Sequence, residues 1–173
     1  MTLVKENAVN APEDTRAAWN KIAPGYDRTN TPTQMWLGNE GLRRAGLRSG
    51  MRFLDVAAGS GALSIPAARL GAQVVATDQS PAMLELLDKR ARKDGLSVDT
   101  RVMDGNALEL DDNSFDMAGS QFGVMLFPDM PKGIREMARV VKARRPGADE
   151  CVWRSARNRI LRLLRRRHPI RSS

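Results

Sequence analysis

Apolar residues between Glu13 and Val141 fall by turns into helical spacing and short unbroken runs. Phe53, Leu54 and Val56 make one run and Val74-Val75-Ala76 another, as expected of strands buried on both faces. Asp55 lies within the first run, and Asp78 ends the second. Between them, Ala62 to Leu70 predicts a helix that Gly71 stops. Ser80 is a good helix N-cap and Pro81 a good first residue. Met83, Leu84, Leu86 and Leu87 then give an apolar helical face, and Gly95 ends it. Leu96 to Met103 predicts a third strand, Phe115 to Gly119 a fourth, and Met130 to Val141 a further helix. Upstream, Glu13 to Ala23 predicts a short helix with Ala17, Ala18 and Ile22 on one side and Trp19 nearby, ended by Pro24-Gly25. Thr29 to Gln34 reads as loop, and Met35 to Gly46 as a second helix packing through Trp36, Leu37 and Leu42.

Strand–helix–strand alternation predicts an α/β fold, a doubly wound open sheet with strand order 3-2-1-4. In such a sheet ligands bind at the carboxyl ends of the strands, where the order reverses between strands one and four. Asp55, Gly59, Asp78, Asp104 and Gln121 all fall at or just beyond such ends.

A length of 173 residues with 42% apolar composition allows one domain with a real core. No apolar run is long enough to span a membrane, and Met1 to Asp14 lacks the apolar core of a signal peptide. The expected location is cytoplasmic. The single cysteine, Cys151, excludes an intramolecular disulfide and a cysteine-cluster metal site. The net charge of +8 is unevenly spread: residues 1–141 hold 17 Lys+Arg against 18 Asp+Glu, and residues 142–173 hold 11 against 2. The body is near neutral and the excess belongs to the tail, which also carries Cys151 and the only histidine, His168.

The turn after strand one carries the candidate chemistry. Gly59-Ser60-Gly61 lets backbone pass close to a ligand, and the helix that follows begins with free N–H groups. Asp78, about 20 residues on, is placed to accept both hydroxyls of a ribose, so the unit reads as a site for an adenosine-containing cofactor. The dinucleotide pattern G-x-G-x-x-G fits poorly. Counted from Gly59 its last position is Ser64, and counted from two residues earlier its first is Ala57. No cation lies between Phe53 and Ala68 to meet a diphosphate.

The pattern D-x-G-x-G-x-G is closer, with Asp55, Gly59 and Gly61 in place and Ala57 standing for the first glycine. Asp55-Val56-Ala57-Ala58-Gly59-Ser60-Gly61 resembles motif I of the class I S-adenosylmethionine-dependent methyltransferases, and Asp78-Gln79-Ser80-Pro81 resembles their second-strand acid and helix cap. Trp19-Asn20-Lys21-Ile22-Ala23-Pro24-Gly25-Tyr26-Asp27 is similar to the helix that lies over the cofactor in the ubiquinone and menaquinone biosynthesis type of this family. The resemblance implies a Rossmann-like fold, S-adenosyl-L-methionine as cofactor and a small-molecule methyl acceptor, quinone-like or other. It implies that the Asp55–Gly61 loop holds the methionine portion with Tyr26 facing that end, and that Asp78, with Gln79 beside it, holds the ribose. Asp104-Gly105-Asn106 would lie beside the adenine, Asp104 accepting its amine, although an ordinary Asx turn fits the same residues. Gln121 and Phe122 border the acceptor side in the family; both also suit a core position. No catalytic base is indicated. A nicotinamide-dependent oxidoreductase and a nucleic-acid-binding protein are the competing classes, the latter resting on the tail alone.

The resemblance stops near Lys142. The family continues with Lys-Pro-Gly-Gly and an apolar strand, whereas this chain gives Lys142-Ala143-Arg144-Arg145 and an arginine-rich run. Permissible codons for Ala143 to Leu161, read one base later, spell a family-like turn and apolar strand. The expectation is therefore a frameshift near codon 143. The chain divides into a flexible leader (1–14), a cofactor-binding domain (15–141) and an aberrant basic tail (142–173). Ile160, Leu161, Leu163 and Leu164 among the tail arginines would bind anionic surfaces or nucleic acid only non-specifically. Lacking a fifth strand, strand four is expected to be an open edge with an uncovered apolar face and to favour aggregation.

Overall fold

The computed structural model describes residues 12–143, and beyond them only two short strands, β5 (Trp153–Arg154) and β6 (Ile160–Leu161), which pair antiparallel. The leader up to residue 11, Cys151, His168 and the rest of the predicted basic tail lie outside the described residues.

The main sheet contains β1 (Arg52–Val56), β2 (Gln73–Asp78), β3 (Asp99–Val102) and β4 (Met117–Gly119), all parallel, in the order β3-β2-β1-β4. Phe53 lies beside both Val74 and Met117, and Asp55 beside Ala76 and Gly119, so the centre of β1 is enclosed on both edges. Enclosure explains the unbroken apolar run: side chains of β1 alternate between two buried faces. Phe53 packs with Leu42, Leu63, Ala67 and Val74 under α2 (Thr31–Arg44) and α3 (Ser64–Arg69). Leu54 and Val56 pack with Phe115, Met137 and Val140 under α5 (Met130–Val140). Ala76, Leu84 and Leu87 fill the space beneath α4 (Pro81–Lys93), whose N-cap Ser80 accepts the Met83 N–H as predicted.

Several boundaries differ from the sequence expectation, each for a tertiary reason. The first helix, α1 (Pro12–Thr29), runs through Pro24 and Gly25 instead of ending there. An interior proline removes one helical hydrogen bond and costs about 3 kcal/mol. Contacts to α4 on both sides of Pro24 hold the helix across it. Before it, Asn20 Oδ1 accepts the Ser80 hydroxyl at 2.7 Å; after it, Asp27 pairs with Arg90. Ala23 is the buried apolar residue of α1, and Ile22 is 48% exposed. Thr31 to Gln34 is the first turn of α2, with Pro32 pre-setting it, and not loop. Trp36 is 73% exposed, because Gly38, Gly41 and Leu42 form the buried face and Trp36 lies about 200° around from Gly38. Leu96 does not begin β3. Its N–H donates to the Ala91 carbonyl and closes the C-terminus of α4 around Gly95, which has φ +66°.

β4 is one of the two edges of the sheet among the described residues, yet its faces are not uncovered. Met117 packs against Phe53, Leu63 and Ala67, and Ala118 against Met137 and Val140, leaving both side chains buried. The C-terminus of α5 also lays down a first parallel rung beside the strand: Val141 bridges Phe115, and the Lys142 N–H donates to the Phe115 carbonyl at 2.8 Å.

Candidate functional site

The loop between β1 and α3 reverses through three left-handed residues, Ala57 (φ +56°), Gly59 (φ +55°) and Gly61 (φ +101°). Such a path brings backbone N–H groups to the carboxyl edge of the sheet. The Ala58 N–H donates to the Thr77 carbonyl at 2.9 Å, and the Gly59 N–H donates to Asp78 Oδ2 at 2.8 Å. Asp78 Oδ1 accepts the Ser80 N–H at 2.8 Å. These two bonds leave about half of the lone-pair positions of a carboxylate for a ligand. Burial pushes the Asp78 carboxyl above its ordinary range, against the pull of the same N–H groups. A Cβ built on Gly59 would meet nothing within 4 Å, so the bare side of this glycine faces open space. Gly61 differs: a Cβ there would fall 3.0 Å from Ile65 and Leu87, so packing of the helices demands that glycine.

Beside the loop lies a small pocket that opens to solvent at its mouth. Tyr26, Asp55, Ala57, Gly59 and Gln121 line it, joined by Thr31, Gln34 and Ser60. Gln34 ties two of the walls together, accepting the Tyr26 hydroxyl on its side chain and the Gln121 amide on its backbone carbonyl, both at 3.0 Å. Trp19 braces Tyr26 edge-on at 5.8 Å between ring centroids. Thr31 at the start of α2 shares a buried hydroxyl contact of 2.6 Å with Ser60. Gln121 is 8% exposed, and its Oε1 has no protein partner. An unpaired buried acceptor costs free energy until something donates to it.

Asp55 is 1% exposed, and the Ser64 hydroxyl donates to its Oδ2 at 2.6 Å. Burial drives its pKa from an ordinary 3.8 up to about 7. The charge of Asp78 adds to the rise and the Ser64 bond opposes it. None of the residues lining the pocket is basic.

Gly61 and Asp78 do not line this pocket, and neither do Gln79, Asp104, Gly105 and Asn106, which sit around the ends of β2 and β3. The Met103 N–H donates to the Asp78 carbonyl at 3.1 Å, which sets the Asp104 turn next to Asp78. Asp104 Oδ1 accepts the Asn106 N–H at 2.9 Å, the geometry of an Asx turn. Phe122 is half-buried outside the pocket lining, with φ +63°. Sequence reasoning missed Thr31, Gln34 and Ser64 as parts of the site, and gave Ser60 only as a member of the glycine turn. Thr31 and Gln34 were hidden by reading their segment as loop, and the available clue was Pro32 as the opening residue of a helix.

Fold and site together define a doubly wound α/β domain with a glycine-floored, cation-free pocket and a paired carboxylate at the tip of its second strand. Residues 54–144 match the methyltransferase domain family. Over 135 residues, 76% of this chain and 55% of the relative, the sequence is 38% identical to a demethylmenaquinone methyltransferase of Renibacterium salmoninarum. Over 103 residues, 60% of this chain and 36% of the relative, it is 43% identical to an uncharacterized protein of Mycobacterium tuberculosis. A crystal structure of a SAM-dependent methyltransferase from Aquifex aeolicus superposes with a TM-score of 0.62 over 71% of this chain and 67% of that one. At 24% identity this is a likeness of fold. The chain belongs to the methyltransferase domain family, and its cofactor is S-adenosyl-L-methionine. It spans about a third to just over half the length of these two curated relatives.

The residues present fit that cofactor. The open side of Gly59 offers a cradle, Gln121 Oε1 awaits a donor, and the cation-free lining suits a ligand without phosphate. The nicotinamide and nucleic-acid readings gain no support. Among the described residues no helix is long and apolar enough to cross a membrane.

Proposed function

We propose that this chain binds S-adenosyl-L-methionine across the carboxyl ends of β1, β2 and β3 and serves methyl transfer to a small molecule with a quinone-like ring. The observation that carries the reading is Asp78, buried at the tip of β2 and pre-set by the N–H groups of Gly59 and Ser80 beside the glycine floor. In this reading Asp78 accepts the ribose hydroxyls, with Gln79 alongside. Asp104 accepts the adenine amine, while the backbone of Gly105 and Asn106 faces the ring. The loop from Asp55 through Ala57 and Gly59 to Gly61 holds the methionine portion between Tyr26 and Gln121. The cofactor supplies an already activated methyl group. The protein's part is therefore orientation and exclusion of water, which together contribute about 7–11 kcal/mol in well-aligned reactions. The acceptor class is supported by the demethylmenaquinone methyltransferase relative.

Calorimetric titration with S-adenosylhomocysteine, with NADH as control, tests the site. Saturable binding of the first alone, lost in Asp78→Ala, is the expected result. Binding of NADH instead would overturn the reading. We propose separately that the tail beyond Lys142 is a frameshift product, supported by the end of the family match at residue 144. The gene sequence around codon 143 decides that point.

A further inference from the structure

Ala57 occupies the position of the first glycine of the motif in a left-handed conformation that residues with a Cβ rarely adopt. Its methyl group points at the loop after β4. A Cβ built on Gly123 would fall 2.4 Å from the Ala57 Cβ, 2.9 Å from Ser120 Oγ and 3.2 Å from the Ala57 carbonyl oxygen. No real pair of Cβ atoms approaches so closely, so the alanine methyl is accommodated only because residue 123 is glycine. The same loop is held at two other points. Ser120 Oγ accepts the Val124 N–H at 3.0 Å, and the Gln121 amide donates to the Gln34 carbonyl at 3.0 Å. Between those holds the chain turns sharply at Phe122. The loop contributes Gln121 to the pocket lining, with its Oε1 buried near Gly38 of α2 and without a protein partner.

We infer that Ala57 and Gly123 are a matched pair of positioning residues. The Ala57 methyl seats the loop after β4 against the cofactor loop and so sets where Gln121 Oε1 meets an N–H or O–H donor of the bound ligand. Where the motif carries glycine this chain carries a methyl group, and a bare Cα faces it from the other loop. The two loops flank the methionine end of the proposed site, and the inference rests on that reading of the pocket. A change at Gly123, which does not line the pocket, is then felt by the ligand through Ala57 and Gln121.

The test is a cycle of Gly123→Ala, Ala57→Gly and the double variant in the full chain, read by thermal unfolding and by affinity for S-adenosylhomocysteine. Gly123→Ala is expected to lower the unfolding midpoint and weaken binding by about tenfold or more. The double variant should recover part of that loss, the 2.9 Å approach of the new Cβ to Ser120 Oγ remaining. Should Gly123→Ala fail to fold while the double variant folds, that rescue is itself the expected coupling. A silent Gly123→Ala, or a double variant no better than the single one, refutes the pairing. In a Gln121→Met background Gly123→Ala should weaken binding no further, and a full additional loss there refutes the positioning role. If the unaltered chain binds no S-adenosylhomocysteine, the cofactor reading fails, and the unfolding cycle still decides the contact.

Discussion

Replacing Asp55 by asparagine removes the most strongly perturbed carboxyl of the site while keeping its shape. Asp55 is buried in β1 with the hydroxyl and the backbone N–H of Ser64 as donors, and with Asp78 as a like charge nearby. In the unfolded chain its pKa is an ordinary 3.8, and in the folded chain it is about 7. Between these values the folded state binds more protons than the unfolded one, so stability falls as pH rises through the interval. Above it the penalty levels off at about 4 kcal/mol. Asparagine carries no such penalty and can still accept the Ser64 hydroxyl. Its amide adds a cost of about 1 kcal/mol if left unpaired, but that cost does not vary with pH. The stability of Asp55→Asn relative to wild type is therefore expected to grow by about 3 kcal/mol from about pH 5 to about pH 8. Urea unfolding of both proteins across that range measures the difference directly. Parallel profiles would show that Asp55 titrates normally and that burial of its carboxyl is not the governing cause.

Two further substitutions test the framework around the site. Arg139 on α5 donates to the carbonyls of Leu108 and Leu110 at 2.8 and 2.7 Å and pairs with Glu136 and Asp112, holding the chain that follows the Asp104 turn. Arg139→Ala should cost about 2 kcal/mol in denaturant unfolding, and Arg139→Lys should recover little, because one ammonium cannot span four acceptors. A lysine variant as stable as wild type would count against this fork. Gly38 on α2 abuts the backbone of the cofactor loop: a Cβ there would fall 2.6 Å from the Ala62 carbonyl oxygen and 3.1 Å from Gln121 Oε1. Gly38→Ala should lower stability by about 1–3 kcal/mol despite the better helix propensity of alanine, and weaken binding of S-adenosylhomocysteine. An unchanged midpoint in thermal unfolding would mean that α2 can move away from the loop.

Much of the binding half of this domain is legible in local sequence. Ser80-Pro81 announces the start of α4, Gly71 and Gly95 mark helix ends, and the runs at Phe53 and Val74 mark the central strands, because capping and burial on both faces act over a few residues. The two N-terminal helices read less well. Pro24 is a strong local stop that packing against α4 overrides, and Trp36 has the composition of a core residue but the exposed side of its helix.

From sequence alone came the α/β class, the glycine turn and the acid at the end of β2, which follow from residue type and spacing along short segments. So did the strand order 3-2-1-4, which follows from the strand–helix alternation and the fixed hand of its crossovers. Tertiary structure alone decided that Asp55 is buried without a cation, that Gln34 joins Tyr26 to Gln121, and that the faces of β4 are covered. It also placed the Ala57 methyl against Gly123, 66 residues later in the chain. These are contacts between segments far apart in sequence. Their free energy depends on distances that no local pattern encodes, so they exist only once the sheet has brought the loops together.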